Sequence, residues 1–287
     1  VQCDGSGNTT ESNDWLNNTF TGSDNCTVVT VTNDSTGLSD DCGATGTETV
    51  TFTLTDSNTN SITLDATFTI EDTTVPTLTT AAANSTVQCD GTSDPAGAFA
   101  TWLANNGGAT ATDACGSVTW SHDSTGLSDA CGATGTEEVT FTATDACANT
   151  TTTTATFTIV DTTAPVITCP DNISVSNDAG NCSAVVTFAA ATATDSCGTV
   201  TVTQTSGLAS GSAFPVGVST IQYTAEDECG LTTTCSFTVT VEDNEVPTIS
   251  CAADQTANTD QDLCTANVTV VAPTTTDNCG AQTVTNN

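Results

Sequence analysis

The chain has 287 residues, no lysine, no arginine and 34 acidic side chains, for a formal charge of −34. Nucleic acids and anionic lipid surfaces are gathered by cationic groups, so neither is a partner for this surface. No run of 18 apolar residues occurs, so no helical membrane insertion is encoded.

Fifteen cysteines stand beside a single histidine, His122, and no C-x-x-C pair. Dense cysteines at recurring spacings without zinc-type clusters indicate an oxidising, extracytoplasmic location. Threonine is abundant, and a β-branched polar residue suits a half-exposed strand face.

Taken in chain order, the sequence repeats itself. "VQCDG" occurs at 1–5 and at 87–91. "DSTGLSDDCGATGTETVTFTLTD" (34–56) returns as "DSTGLSDACGATGTEEVTFTATD" (123–145), differing at three of 23 positions. The junction "EDTTVPTL" (71–78) returns as "VDTTAPVI" (160–167), and "VEDNEVPTIS" (241–250) is a third. The segment "AGAFATWLANNGG" (96–108) places Phe99, Trp102 and Leu103 at helical spacing before an Asn-Asn-Gly-Gly stop, which predicts a short helix. "NDWLNNTFTG" (13–22) is its counterpart. Trp15 and Trp102 are read as core residues, with sugar stacking as the alternative.

Between these segments the period is 2. Val139, Phe141 and Ala143 alternate with threonines, as do Phe157 and Ile159, then Cys235, Phe237, Val239 and Val241. "AVVTF" (184–188) and "STIQYTAED" (219–227) add strands. Alternation buries one face and wets the other, and short strands at this spacing predict antiparallel sandwiches. The expected fold class is all-β: a tandem array of immunoglobulin-like antiparallel β-sandwich repeats, with a short helix in the first two. The expected divisions are 1–75, 76–164, 165–246 and 247–287, the last a truncated repeat. The sequence is therefore expected to be a window on a longer array.

The third division resembles the hyalin repeat, or HYR module, through "DTTAPVITCPDNISV", "GNCSAVVTF", "ATDSCG", "SGSAFPVGVSTIQYTAED" and "TCSFTVTVED". Residues 244–287 resemble the first half of another. The first two divisions look like divergent relatives with a "VQCDG…WLANN…CGATGT" pattern. The two repeat types together are similar to those of very large surface adhesins of Bacteroidetes, including gliding adhesins, which leave the cell by type IX secretion. The resemblance implies immunoglobulin-like sandwiches and a role in cell adhesion or gliding motility.

The hyalin pattern implies a Cys169–Cys235 bridge. The parallel between "TDSCG"/"EDECG" and "TDACG"/"TDACA" leads us to expect Cys115–Cys147 and Cys197–Cys229, which leaves Cys89–Cys131 and Cys3–Cys42. Asn58 stands where Cys147 recurs, so Cys26 is expected to be unpaired. Cys182 is left over; the alternative pairs Cys182 with Cys197 and frees Cys229.

Acidic residues gather at the junctions. Glu71, Asp72, Asp161, Glu242, Asp243 and Glu245 are candidate calcium ligands, since hard cations take carboxylate oxygens. The competing reading is Asx turns and caps, which also covers the strand-end Asp56, Asp113, Asp145, Asp195, Asp227 and Asp277. No organic cofactor is expected. "DST" and "DTT" resemble the Asp-Ser/Thr-x acceptor of Bacteroidetes O-glycosylation, which makes Ser35, Thr73, Ser124 and Thr162 candidate glycan sites.

No phosphate loop, G-x-S-x-G or H-E-x-x-H motif occurs, and the acids recur in every unit. The chain is therefore not expected to be an enzyme. The expected function is a stiff, disulfide-bonded acidic stalk in a secreted surface protein, with neighbouring repeats as its contacts. The alternatives are a module that binds surface glycans or a protein, and lateral assembly with other copies into a filament.

Overall fold

The computed structural model describes residues 1–287 apart from 19, 281, 286 and 287. It separates into two compact units, Val1–Asp161 and Thr162–Asn287. The first two sequence copies thus share one unit.

In the first unit, helix α1 (Thr9–Asn18) precedes β1 (Val29–Asn33), β2 (Gly46–Asp56) and β3 (Ser61–Ile70), which form a sheet of order β1-β2-β3. Next come β4 (Thr77–Thr80) and β5 (Ser85–Gln88), then α2 (Ala98–Ala104). They are followed by β6 (Thr110–Thr112), β7 (Thr119–His122), β8 (Gly135–Thr144) and β9 (Thr150–Val160). The second copy's main sheet has order β5-β9-β8-β7, and β4 pairs with β6. Helix α2 lies within the span predicted for it. Helix α1 starts four residues before its predicted span, because the chain leaves a buried Asn8 that caps back onto Gln2 and Asp4.

The second unit contains β10 (Val166–Thr168), β11 (Ile173–Ser176), β12 (Ser183–Val186), β13 (Thr192–Thr194) and β14 (Val200–Ser206). It continues with β15 (Ser212–Pro215), β16 (Gly217–Asp227), β17 (Thr232–Glu242), β18 (Thr248–Ser250) and β19 (Thr274–Thr276). Its main sheet runs β11-β17-β16-β14. The β12–β15 ribbon closes over that sheet, and Ala184, Val186 and Phe214 pack on Ile221, Tyr223, Phe237, Val239 and Val241. Two layers around one core make an immunoglobulin-like sandwich. Among the described residues no helix takes part; the ribbon is the second layer here. Residues 251–273 carry no helix or strand.

The alternation read from the sequence sets the core. Val139, Phe141, Ala143, Ala155, Phe157 and Ile159 of the β8–β9 hairpin are all buried. The threonines between them face outward and meet in cross-strand pairs, such as Thr136 with Thr158 at 3.3 Å and Thr49 with Thr67 at 3.0 Å. Such pairs knit the wet face of the sheet, which accounts for the threonine excess. Pro76 and Pro165 of the Asp-Thr-Thr-x-Pro junctions are fully buried.

One parallel ladder recurs. Strand β5 adds to β9 in parallel, ending with Cys89 N–H donating to Val160 O at 2.9 Å. Gln2 bridges Glu71 in the same sense, with Cys3 N–H on Glu71 O. Each "VQC" is therefore carried to the carboxyl-terminal end of its own last strand.

Candidate functional site

The first unit contains a covalent junction between its two copies. Cys3 is bonded to Cys115 and Cys42 to Cys147. This corrects the expected Cys3–Cys42 and Cys115–Cys147 pairs. The cysteines of each expected pair do share one end of a copy, but each reaches outward. Cys3 lies at the finish of β3 and Cys42 just before β2, whose first residue pairs with the last of β3. Cys147 lies in the β8–β9 turn, and Cys115 belongs to the neighbouring turn, where Gly116 abuts Ala146. Spacing in the sequence records that cysteines recur; it does not record which end of the sandwich they occupy.

Backbone contacts seat the two ends. Ala44 N–H donates to Cys115 O at 3.1 Å, and Asn149 Nδ2 donates to Asp72 O at 3.1 Å. Gly5 and Gly43 make the approach feasible. Both have positive φ, and a Cβ would strike the Ala114 carbonyl oxygen at Gly5 and the Cys115 carbonyl oxygen at Gly43.

The strand-end aspartates hold the cysteine turns. Asp113 Oδ1 accepts the Cys115 N–H and Asp145 Oδ1 the Cys147 N–H, each at 2.8 Å. Asp195 and Asp227 do the same for Cys197 (2.7 Å) and Cys229 (2.8 Å). Asp56 accepts from Asn58 and Asn60, and Asp277 from Asn278. The contacts of Asp113, Asp145, Asp195 and Asp227 are Asx turns that hold an Asp-x-Cys sulfur, Asp56 makes the same turn onto Asn58, and Asp277 accepts from the adjacent residue instead. Cys89, Cys131, Cys197 and Cys229 are also in disulfides, and Cys169 is bonded to Cys235. Cys26 and Cys182 are exposed thiols.

The candidate calcium ligands do not gather as one set. Within the first unit, ligand atoms of Asp72, Asp113 and Cys115 lie within 4.8 Å of one another. The Cys115 sulfur is in a disulfide, however, and Asp72 Oδ1 already accepts from Gln2 Nε2, Thr74 N and Thr74 Oγ1. Two carboxylates, one of them engaged, fall short of the six to eight oxygens that calcium takes. Glu71 contributes backbone groups to the β3 edge. Asp161 accepts from Gln88 Nε2 at 3.1 Å. In the second unit Glu242 accepts from Ser174 Oγ, Asp243 from Glu245 N–H, and Glu245 from Gly180 N–H.

The "DSTG" loop wraps a carboxylate that the sequence reading did not single out. Glu48 Oε1 accepts the N–H groups of Thr36 (2.6 Å) and Gly37 (2.8 Å), and Ser35 Oγ reaches both carboxylate oxygens at 3.0 Å. Glu137 repeats this with Thr125, Gly126 and Ser124. Asp34 and Asp123 pin the loop by accepting from Thr51 and Thr140. Burial raises the Glu137 carboxyl, but the hydrogen bonds from Thr125, Ser124 and Gly126 outweigh it and hold the group below the usual range. The recurrence of "DSTG" with a glutamate at a fixed distance was the available signal. Ser35 and Ser124, two candidate glycan acceptors, thus have half-buried, engaged hydroxyls. Thr73 is exposed and donates to Gln2 Oε1; Thr162 is exposed.

Trp102 packs on Phe141 and Phe157 and donates Nε1–H to Ala83 O at 3.1 Å, while Trp15 packs on Phe52 and Phe68. Both serve the core. His122 Nδ1 accepts the Ser124 backbone N–H rather than a serine hydroxyl, and its ring leans on Phe141.

Comparison with known proteins places the second unit. Residues 160–241 match the HYR domain. A 78-residue stretch is 37% identical to hyalin of Strongylocentrotus purpuratus; it is 27% of this chain and 6% of hyalin. An HYR-like repeat therefore occupies the second unit. Among solved structures, protocadherin gamma B7 extracellular cadherin domains 1–4 align over 81% of this chain and 71% of that one, at 13% identity and a TM-score of 0.32. Drosophila N-cadherin EC1–4 aligns over 71% and 59%, at 11% identity and 0.28.

Proposed function

We propose that the chain is a spacer segment of a large extracellular adhesion protein, a stalk whose successive repeats are covalently fastened. The observation that carries this reading is the double bridge from Cys3 and Cys42 to Cys115 and Cys147. Ten bridged cysteines suit an oxidising exterior. The HYR-like repeat and the resemblance to gliding adhesins of Bacteroidetes favour a cell-surface, type IX-secreted setting. A passive spacer has no catalytic or glycan-binding task, and its contacts are its own neighbouring repeats.

Pulling single molecules from their termini tests the mechanical role. Each copy of a fastened pair is shielded by the other's bridges. Reduction should release at least on the order of 400 Å of extra chain, since the Cys3–Cys115 bridge locks 112 residues at about 3.5 Å each. Equal extension before and after reduction would end the proposal.

A second reading, a protein-binding module, is favoured by an apolar groove of about 240 Å³ on the first copy, lined by Phe20, Val31, Phe52, Leu54, Ile62 and Leu64. Ile62 and Leu64 are 69% and 62% exposed. Ile62→Thr with Leu64→Thr, the residues at the matching second-copy positions, should leave surface attachment unchanged under the spacer reading. Loss of attachment by that folded variant would favour the binding module.

A further inference from the structure

Three short ladders share one register. In the first, Thr77, next to Pro76, faces Thr112, and Cys115 follows three residues later. In the second, Val166, next to Pro165, faces Thr194, and Cys197 follows three residues later. In the third, Thr248, next to Pro247, faces Thr276, and Cys279 follows three residues later. Cys115 and Cys197 are both disulfide-bonded, Cys115 to a cysteine of the preceding copy. Cys279 occupies the same place with a reduced thiol.

Its surroundings supply a partner. The turn Asp178–Ser183 lies against the segment that carries Cys279. Asn278 Nδ2 donates to Asn181 O at 2.8 Å, and Gly180 N–H donates to the Glu245 carboxylate at 2.9 and 3.0 Å. Asn181 and Asn278 are the residues immediately before Cys182 and Cys279. Partial burial, then the adjoining Cys182 thiol and the Asp243 carboxylate, push the Cys279 thiol up to about 12. The first two copies use Cys3 or Cys89 beside their last strand, but at the matching ladder position the HYR-like repeat has Asn177, which donates its N–H to Glu242 O. Cys182, five residues on, is the thiol left to serve that end.

We propose that Cys182 and Cys279 form a disulfide that fastens the HYR-like repeat to the segment that follows it. Closure needs an external disulfide, either oxidised glutathione or that of a thiol–disulfide oxidoreductase. The thiolate of the exposed Cys182 attacks first, which gives a mixed disulfide and releases one thiol. Cys279 then loses its proton and attacks Cys182 Sγ, and the second thiol leaves. Two protons and two electrons pass to the external disulfide, which ends as two thiols.

The test uses the full chain, equilibrated in a glutathione buffer, unfolded, alkylated without reduction and mapped by mass spectrometry. Cleavage at Asp and Glu is needed, because no trypsin site exists. The proposal expects a Cys182-containing peptide linked to a Cys279-containing peptide. It also expects Cys182→Ser to raise the number of alkylated thiols by one, by exposing Cys279. Recovery of both cysteines alkylated, a link from either to another cysteine, or a fall in alkylated thiols in Cys182→Ser would overturn it.

Discussion

Cys42, just before the first copy's longest strand, is bonded to Cys147, in the hairpin turn of the second copy, 105 residues later. A bridge closing a loop of that size removes much of the unfolded chain's freedom. Loops near 100 residues correspond to roughly 4–5 kcal/mol in the chain-entropy view. Because the Cys3–Cys115 loop overlaps it, the two bridges do not add. Cys42→Ser with Cys147→Ser should therefore cost about 2–4 kcal/mol, read as an earlier denaturant midpoint. An unchanged midpoint would show that the junction contributes nothing to folding.

Gly43 is the steric counterpart of that bridge. Gly43→Ala should place a methyl group on the Cys115 carbonyl in a backbone conformation that disfavours side chains. We expect a cost of about 3 kcal/mol or more, against about 1–2 kcal/mol for Gly37→Ala, which has positive φ but open space around it. Equal losses would locate the effect in φ alone.

The Glu137 carboxylate gathers two backbone N–H groups and a serine hydroxyl. Glu137→Gln should destabilise the chain by about 1–2 kcal/mol at neutral pH, as a charge-assisted set becomes a neutral one. The folded group titrates below its unfolded value. Its contribution is thus present above the ordinary glutamate range near pH 4.5 and is lost as pH falls through the lower folded value. Comparing the variant with wild type cancels the general relief of repulsion among 34 acids. The difference between them should shrink between about pH 5 and pH 3; a gap that stays constant would show that the ionised form is not what the loop recognises.

With no cationic side chain, the surface should respond to ionic strength more than to any one ion. Sodium chloride between about 10 mM and 300 mM should raise the melting temperature, because the Debye length falls from roughly 30 Å to below 10 Å. Calcium at matched ionic strength should add little, because Asp72, Glu242, Asp243 and Glu245 are held in turns and caps. A calcium-specific rise reversed by a chelator would contradict this.

Trp102 tests the core assignment. Trp102→Ala removes a half-buried ring that braces Phe141 and Phe157 and should cost about 2–4 kcal/mol. A folded variant with unchanged stability but lost glycan binding would revive the sugar-stacking role.

Strands β8, β9, β12, β16 and β17, the alternating core residues of β8, β9 and β17, the helix over 98–104, the Asx turns and the Cys169–Cys235 bridge were legible along the chain. Each depends on local period, local turn chemistry or a recognisable repeat. Val139, Phe141 and Phe157 had to be inside, because alternation leaves them no other face. Two features were not legible. Glu48 and Glu137 were not singled out, because the loop that covers each lies eleven to thirteen residues upstream and meets it largely through backbone N–H groups, so that only the recurrence of "DSTG" ahead of a glutamate marked them. The partners of Cys3 and Cys42 were hidden because a tandem repeat offers every cysteine two neighbours, its own copy and the next. Repetition along the chain fixes the spacing at which these cysteines stand. Only the tertiary structure decided where they bond, because it puts Cys3 and Cys42 at the finish of one sandwich and Cys115 and Cys147 at the start of the next. Gly5 and Gly43 then let those two ends meet.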